Sequence, residues 1–381
     1  MATGSATRPL DGVRVVTFAQ LYQGPYATMV LADLGADVIV VERPGTGDPA
    51  RAQGVMFQAL NRGKRSVTLD LKQAEGRRRA RELARTADVL FEAYRPGTMD
   101  RFGLGYRELS AINPRLVYVS VSGFGQDGPY RDRAGHDLMY QAAAGLLDAL
   151  CDRPEAVQPP PDLEAGAIVG ALYAALGALA GLTGRAATGH GTHVDVSTHE
   201  ALLSVLSLRV EDVLNGPGES TAGHEPGYVL YRCADGNLIA LGIGFEDHFW
   251  TLLCRATGLT GHMWLRRAER LARADGLAAD LARVLATRPR AHWLETFDRA
   301  GVPAAPVHRL AEALRDPHVA ARRTVRTLRG AGRRYVRQPL RLSAYADPDP
   351  GPAPLLGEHT GSILRELEAH ESPHERRRLQ A

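Results

Sequence analysis

Two titratable residues, His136 and Asp162, stand at the beginnings of two apolar segments with helical spacing. Glycine precedes the first segment, in AGHDLMYQAAAGLL, and three prolines precede the second, in PPPDLEAGAIVGAL. Proline disfavours the helical conformation of the residue before it, so the chain stays extended until the second helix begins. A histidine and an aspartate in these positions predict acid–base or nucleophilic chemistry.

The expected environments of the two side chains suit that chemistry. Asp162 is a candidate helix N-cap, where free backbone N–H groups and the positive end of the helix dipole favour an ionised carboxylate, available as a base or nucleophile. His136 can accept a proton near neutral pH as a neutral imidazole. Each residue alone is better explained as a structural residue at a helix start, so the rest of the sequence must decide.

Short β-branched runs alternate with helical patterns in the first third of the chain, which predicts a doubly wound α/β sheet with parallel strands and helices on both faces. The predicted strands are 13–19, 37–43, 66–71, 88–94 and 116–124. The predicted helices between them are 24–36, 75–86 and a short one near 107–112.

Such a sheet commonly binds a dinucleotide, and Glu42 ends the second strand about where a ribose-binding acid would lie. The first strand–helix turn reads AQLYQGPYA, however, with one glycine where GxGxxG is needed. Without the second glycine the backbone cannot approach a pyrophosphate closely. We therefore expect a Rossmann-like sheet without a dinucleotide fingerprint.

Composition excludes several other classes of protein. The chain has 381 residues, which favours two domains, and its net charge of +3 comes from arginines interspersed with carboxylates, so nucleic acid is not an expected partner. The cysteines form no CxxC, and His190, His193 and His199 lack the spacing of a zinc motif, so no metal is expected. The uncharged run 165–182 is interpreted as a buried helix, and the N-terminus lacks an apolar signal core; we expect a cytoplasmic protein without a membrane segment.

Segments rich in glycine and proline predict the domain boundaries. We expect residues 1–210 to form the first part of a large domain and 211–227 to form a linker. A smaller α+β domain over 228–318 begins with a hairpin around Asp235-Gly236, and residues 319–381 return to the large domain.

Motifs along nearly the whole chain resemble those of family III CoA-transferases, the group that also contains α-methylacyl-CoA racemases. The similar blocks, in the family's order, are VRVVTFAQLYQGPYATMVLADLGADVIVVERPGTGDPAR, LNRGKRSVTLDLK, DVLFEAYRPGTMDRFGLGY, INPRLVYVSVSGFGQDGPYRDRAGHD, DLEAGAIVGALYAAL, TGHGTHVDVS, AGVPAAPV and LGEHTGSIL. The resemblance implies a large Rossmann-like domain built from both chain ends, a smaller inserted domain, and an interlocked homodimer with the active site at its interface.

The resemblance also implies roles for individual residues. Asp162 matches the family aspartate, which in transferases attacks the thioester and forms aspartyl-CoA intermediates, and in racemases is one of two acid–bases flanking the α-carbon. His136 stands where similar transferases usually carry tyrosine and racemases carry histidine. Glu246, in GIGFEDHFW, resembles a glutamate that supports the racemase histidine, although the local pattern GxxEPQF is not matched.

The substrate implied is an acyl-CoA thioester, with coenzyme A as part of the substrate and no permanently bound cofactor. Arginine and lysine at loop ends suit its phosphates. Asp137 and Tyr140 are expected to line the thioester site. The residues that the resemblance assigns to coenzyme A binding are Leu71, Lys72, Arg95, Arg101, Leu104 and Gly105.

Three functions remain open at this point. The histidine favours a racemase-like isomerase that uses His136 and Asp162 on opposite faces of the α-carbon. A CoA-transferase acting through Asp162 is the alternative, because NRGKRSVTLDLK and AGVPAAPV suit transferases equally well. A non-catalytic acyl-CoA-binding homologue is the remote third.

Overall fold

Six parallel β-strands form the central sheet of the computed structural model, which describes residues 8–150, 163–216 and 225–370. Their spatial order is β3-β2-β1-β4-β5-β6. The strands are β1 (Arg14–Thr17), β2 (Asp37–Glu42), β3 (Arg65–Thr68), β4 (Val89–Glu92), β5 (Val117–Ser122) and β6 (His193–Ser197). The predicted parallel α/β sheet is therefore confirmed.

Helices connect the strands on both faces of this sheet. The helices up to residue 216 are α1 (Gln23–Asp33), α2 (Met56–Leu60), α3 (Ala74–Thr86), α4 (Thr98–Arg101), α5 (Tyr106–Ile112), α6 (Asp137–Ala143), α7 (Leu146–Leu150), α8 (Ala165–Thr188), α9 (Thr198–Val205) and α10 (Ser207–Asn215). Helix α10 occupies the first part of the segment predicted as a linker, because the glycine and proline that would interrupt a helix begin only at Gly216.

Strand alternation sends successive side chains to opposite faces, and each face has its own apolar core. On one face Val15, Val38 and Val117 pack with Ala171 and Ala174 of α8. The opposite face buries a second cluster that includes Ile39, Leu90 and Tyr118 of the strands with Leu83 of α3 and Leu109 of α5. Because both faces are covered, the strands read as nearly continuous apolar runs.

Helix α8 is the apolar run that resembles a membrane span. By length and composition alone it could cross a membrane, with a mean hydropathy of 1.9 over its best window. Its buried residues are all glycines and alanines, and a Cβ at Gly181 would come within 2.6 Å of Cγ1 of Val117. Small residues thus let α8 approach β5 closely, as expected of a core helix.

The contacts divide the chain into two compact units. The first comprises residues up to Ser207 and from Thr324 onward, and the second comprises Leu208–Arg323. The elements after residue 225 are β7 (Leu230–Arg232), β8 (Leu238–Leu241), α11 (Asp247–Thr257), α12 (Arg267–Ala272), α13 (Ala274–Leu285), α14 (Arg290–Ala300), β9 (Ala304–Pro306), α15 (Leu310–Ala313), α16 (Pro317–Ala321), β10 (Val325–Thr327), β11 (Arg334–Val336) and α17 (Thr360–His370).

The second unit contains the antiparallel sheet β7-β8-β9, with the predicted hairpin between its first two strands. Its core includes Trp250 and Leu253 of α11, Leu281 of α13 and Phe297 of α14. In the first unit, α17 packs against the sheet through Ile363 and Leu367, so the end of the chain completes the large unit.

Candidate functional site

The strand order reverses between β1 and β4. Strands β2 and β3 lie on one side of β1, whereas β5 and β6 lie on the far side of β4. Ligands of open parallel sheets bind outside the carboxyl ends of the strands at such a point. Tyr22 and Arg95 lie in the turns that follow β1 and β4 respectively. These two turns therefore mark the expected crevice.

The turn after β1 differs from a pyrophosphate-binding turn in how its backbone is used. Leu21 adopts a left-handed φ of 64°, which is uncommon for a side chain of this type. Its N–H donates to the carboxylate of Asp48 at 3.1 Å, so this donor is already committed. A Cβ at Gly24 would collide with Ala19, so the single glycine serves the close approach of α1 to β1.

Glu42, the candidate ribose-binding acid, is buried and fully engaged. Arg51 donates to both of its carboxylate oxygens at 2.7 Å, and the Ser66 hydroxyl donates at 2.6 Å. The N–H of Asp48 donates a further hydrogen bond at 3.0 Å. These donors outweigh burial and lower the pKa of Glu42. Both carboxylate oxygens are therefore occupied by partners within the fold.

His136 immediately precedes α6, with an extended backbone and an exposed side chain. Asp137, the next residue, accepts a hydrogen bond from the N–H of Ala167 in the first turn of α8 and another from the amide of Gln141. That amide also donates to the carbonyl of Leu163 at 3.0 Å. The beginnings of α6 and α8 are thus tied together by one buried amide and one carboxylate.

Asp162 lies outside the described residues. Helix α8 begins at Ala165 with Glu164 in the N-cap position, so the prediction that Asp162 caps this helix was wrong, and its catalytic role is carried by sequence alone. Leu163 is the first described residue after it and is the residue whose carbonyl Gln141 binds. Both oxygens of Asp137 are already used in joining the two helices. The side chain of Asp137 therefore positions the site from within, and its expected contact with the thioester stays a prediction.

Tyr140 fixes the loop before α6 by packing between two glycines. A Cβ at Gly123 would collide with its ring, and one at Gly135 would come within 2.7 Å of it. Burial raises the pKa of Tyr140, the charge of Arg95 opposes that rise, and the charge of Asp137 adds to it. The structure therefore brings Arg95 of the β4 turn near the start of α6.

Tyr22 is a site residue that sequence reasoning missed. Burial raises its pKa, and the charges of Glu164 and Asp137 act in the same direction. Tyr22 of the turn after β1 therefore lies near the start of α6 and near the residues that follow Asp162. A polar aromatic residue in the turn that follows the first strand was the available signal.

The residues predicted to bind coenzyme A divide by exposure. Lys72, Arg95 and Arg101 are exposed and carry charges at loop or helix ends, as phosphate binding requires. Leu104 is fully buried in the core, and its carbonyl accepts a hydrogen bond from the Tyr118 hydroxyl at 3.1 Å. The side chain of Leu104 is therefore closed to a ligand.

Of the two remaining predicted contacts, Leu71 is half-buried and Gly105 is buried. Leu71 packs against the second core cluster, and its carbonyl accepts from Arg77 at 3.0 Å. At Gly105 a Cβ would collide with the carboxylate of Asp100, so this glycine is required by its neighbour.

Two further arginines approach the same edge of the sheet and were not singled out from the sequence. Arg43 is exposed directly after β2, and its charge opposes the rise that burial causes in the pKa of Tyr94. Arg131 donates to the carbonyl of Gln126 at 2.9 Å, and its guanidinium lies near Gly97 in the β4 turn. Both occur in motifs that carry the resemblance, which was the signal for them.

Glu246 lies in the second unit, directly before α11. Its carboxylate accepts the N–H of Gly244 at 3.1 Å, which fixes the turn between β8 and α11. Support of His136 by this glutamate stays a prediction. Within the described residues, no group of three or more His, Cys, Asp or Glu side chains could hold a metal ion.

Comparisons with known proteins agree with this geometry. A family model described as CoA-transferase family III matches residues 10–360. The chain is 34% identical to acetyl-CoA:oxalate CoA-transferase of Acetobacter aceti, over 96% of this chain and 97% of that protein. It is also 34% identical to human alpha-methylacyl-CoA racemase, over 94% of this chain and 93% of that protein.

A solved structure shows the same fold over nearly the whole chain. The crystal structure of a CaiB/BaiF family protein from Brucella suis matches with a TM-score of 0.82 and 33% identity, covering 94% of this chain and 99% of that one. The resemblance stated from the motifs is thereby confirmed. The chain belongs to CoA-transferase family III and is an enzyme of the acyl-CoA transferase and racemase type.

Proposed function

We propose that the enzyme racemises or epimerises the α-carbon of a 2-methylacyl-CoA thioester by two-base proton transfer through an enolate. The observation that carries this proposal is the tie between α6 and α8. Asp137, the residue after His136, accepts a hydrogen bond from Ala167. Gln141 donates to Asp137 and to the carbonyl of Leu163, which follows Asp162 in the sequence. His136 therefore directly precedes this hydrogen-bonded junction, and Leu163, the sequence neighbour of Asp162, takes part in it.

Racemisation requires a proton to leave one face of the α-carbon and another to arrive on the opposite face. Two bases of different type suit this task, since one must hold a proton while the other accepts one. The exposed imidazole of His136 is available for exchange with a bound thioester. Hydrogen-bond donors aimed at the thioester oxygen would stabilise the enolate that forms between the two proton transfers.

The charged residues around the crevice support a coenzyme A thioester as the substrate. Lys72, Arg95 and Arg101, joined by Arg43 and Arg131, place positive charge near the carboxyl ends of the strands. Guanidinium groups bind phosphate through paired donors. Coenzyme A arrives as part of the substrate in this proposal, and no permanently bound cofactor takes part.

Self-association is part of the proposal. Large apolar side chains are exposed on α8, α9 and α10, namely Leu172, Tyr173, Leu176, Val205, Leu208, Val213 and Leu214. A second copy of the chain, interlocked with the first, would cover such surfaces. We also propose that the homodimer acts in the cytoplasm.

A CoA-transferase is the second candidate, and the relatives favour it. Transferases of oxalate, of D-citramalate and of glutarate are similar to this chain. In that reaction the Asp162 carboxylate attacks the thioester and expels the coenzyme A thiolate, leaving a mixed anhydride. The thiolate then attacks the aspartyl carbonyl of the anhydride, which releases the donor acid and leaves an aspartyl-CoA thioester. The acceptor carboxylate attacks that thioester and forms a second anhydride, and the thiolate attacks its acceptor carbonyl, so that the acceptor leaves as its CoA thioester and the Asp162 carboxylate is restored. His136 would have no proton to transfer.

Exchange of the α-hydrogen with solvent separates the two functions. The proposal predicts that 2-methylacyl-CoA thioesters incubated with the enzyme in deuterated water gain deuterium at the α-carbon, measured by mass spectrometry. A CoA-transferase instead moves coenzyme A to free oxalate, succinate or glutarate and forms a hydroxylamine-sensitive adduct at Asp162. Transfer without deuterium gain across straight and branched 2-methylacyl chains would overturn the proposal.

A further inference from the structure

A row of polar side chains crosses the neighbouring strands β4, β5 and β6 inside the fold. Glu92 is the last residue of β4 and is only 4% exposed. Ser120 is its register partner on β5, and the Ser120 hydroxyl lies 3.0 Å from Nε2 of His193, the first residue of β6. His193 is the member of the row that reaches solvent.

Glu92 has few partners for a buried carboxyl group. One oxygen accepts the N–H of Tyr94 at 2.9 Å, and the hydroxyl of Ser120, the register partner of Glu92 on β5, acts to lower the pKa of the carboxyl group. Burial raises the pKa of Glu92 to about 7, and the charges of Asp100 and Asp195 act in the same direction. Partial burial against Tyr106 and Tyr118 lowers the pKa of His193.

Because the Ser120 hydroxyl has a single hydrogen, the hydrogen bonds along the row can be donated in either of two directions. When Glu92 is ionised, Ser120 donates to it, and Nε2 of His193 must then donate to the serine oxygen. When Glu92 is protonated, its own O–H donates to the serine oxygen, and Ser120 is free to donate to a neutral Nε2. A proton that leaves Glu92 can therefore reach solvent through Ser120 and His193, with every hydrogen bond conserved.

Glu92 also controls a segment of the candidate site. Tyr94, whose N–H it binds, is followed by Arg95, and the Tyr94–Gly97 turn leads into α4 with Arg101. A hydrogen bond to an ionised carboxylate is about twice as strong as one to a neutral acceptor. The charge on Glu92 thus sets how firmly this turn is held.

We propose that Glu92 is a positioning residue for the Tyr94–Gly97 turn and that it exchanges its proton with solvent through Ser120 and His193. The assignment of that turn to coenzyme A binding rests on the proposed function; the proton chain does not. The charged or titratable groups that face this row from the surrounding elements are Tyr94, Asp100, Tyr106, Glu108, Tyr118 and Asp195.

Infrared spectroscopy of the unliganded enzyme tests the proton chain. A protonated-carboxyl band should disappear with a midpoint near pH 7 and should be missing from Glu92→Gln. Ser120→Ala should raise the midpoint, because it removes a donor to the carboxylate. Ser122→Ala is the matched control: it lies on the same strand and face, its buried hydroxyl has no partner among the described residues, and it should leave the midpoint unchanged.

The link to His193 has its own readout. The ¹⁵N chemical shift of Nε2 should change at the Glu92 midpoint in the wild-type enzyme and should not do so in Glu92→Gln or Ser120→Ala. A band identical in wild type and Glu92→Gln, or a midpoint in the ordinary glutamate range near about 4.3, would overturn the chain.

Calorimetric titration with coenzyme A tests the positioning role. Between about pH 6.5 and about pH 8.5 the wild-type affinity should rise about threefold to tenfold, and Glu92→Gln should remove that rise; the variant also corrects for titration of the ligand phosphate. Equal pH dependence in both proteins would overturn the positioning role. Failure of the wild type to bind coenzyme A at all would overturn that role together with the proposed function, while the infrared midpoint would still decide the proton chain.

Discussion

Two buried glutamates end strands β2 and β4 of the same sheet, and their pKa values are shifted in opposite directions. Glu42 ends β2 and binds Ser66 of β3, whereas Glu92 ends β4 and binds Ser120 of β5. Each also accepts a backbone N–H nearby. The pKa of Glu42 is nevertheless lowered, and the pKa of Glu92 is raised to about 7.

The opposite pKa shifts of the two glutamates arise from one guanidinium group, that of Arg51. Arg51 donates to both oxygens of Glu42 and lies over the ring of Phe57, so the charge of that carboxylate is compensated where it is buried. Glu92 has a serine and a backbone N–H instead, and the charges that act on it from Asp100 and Asp195 are negative. Both glutamates end a strand, are buried and have a serine on the neighbouring strand. Glu42 nevertheless forms a fixed ion pair, whereas Glu92 carries an exchangeable proton.

Removing the cation should have the largest effect. Arg51→Met leaves the Glu42 carboxylate buried without compensation, which should lower the free energy of unfolding by about 3–5 kcal/mol near neutral pH. The loss should shrink in acid, because Glu42 can then be protonated as Glu92 is. Urea unfolding at several pH values measures this.

The control for that variant is Arg8→Met, in the same unit. Arg8 and Asp11 form a pair in which both side chains are more than a third exposed. Such pairs contribute about 0–1 kcal/mol. A loss for Arg51→Met no larger than that of Arg8→Met would show that the cation does not distinguish the two glutamates.

Exchanging each glutamate for glutamine should give effects of opposite sign. The raised pKa of Glu92 favours folding fully below the unfolded-state value of 4.5, and this advantage is lost as the pH rises through about 7. The shift corresponds to about 3 kcal/mol, so Glu92→Gln should stabilise the protein by about 1–3 kcal/mol at about pH 8.5 and by nothing at about pH 4.5.

Glu42→Gln should instead destabilise by about 2–3 kcal/mol at the same alkaline pH, because it leaves Arg51 without its anion. The lowered pKa of Glu42 gives stability that is present above the unfolded-state value and is lost as the pH falls through the folded-state value. Thermal unfolding across pH compares both variants. Destabilisation by Glu92→Gln at alkaline pH would contradict the contrast.

The serines should give the smallest effects. Ser120→Ala and Ser66→Ala each remove one hydroxyl donor to a glutamate, at about 1 kcal/mol per hydrogen bond. Ser120→Ala should raise the pKa of Glu92 further, whereas Ser66→Ala should leave Glu42 ionised, since Arg51 remains. The pH dependence of unfolding separates the two, and an equal response in both variants would argue against a decisive cation.

The sequence predicts the parallel sheet because β-branched runs and helical spacing are local signals. Long runs such as DVIVVE and VYVSVS appear as β2 and β5 close to their predicted bounds. Helix α10 extends as far as Asn215, into the segment 211–227 that composition predicted as a linker, because helical spacing was not considered there.

Site residues were less predictable, because their meaning depends on register and distant partners. The sequence rejected Glu42 as a ribose ligand because the first turn lacks the glycines of a dinucleotide site, but only the structure shows Arg51 on its carboxylate. Glu92 and Ser120 become partners only through the pairing of β4 with β5. Motif resemblance supplied His136 and Arg95, but only the structure showed Asp137 holding α6 to α8.

The most direct test of the proposed function measures the reaction of each substrate enantiomer separately. Separate (R)- and (S)-2-methylacyl-CoA samples are incubated in deuterated water with the wild type, His136→Asn and Asp162→Asn. Two-base chemistry predicts that both variants lose racemisation, yet each still exchanges the α-hydrogen of one enantiomer, a different one for each variant. Racemisation by His136→Asn at the wild-type rate, or no exchange from either enantiomer by the wild type, would contradict it.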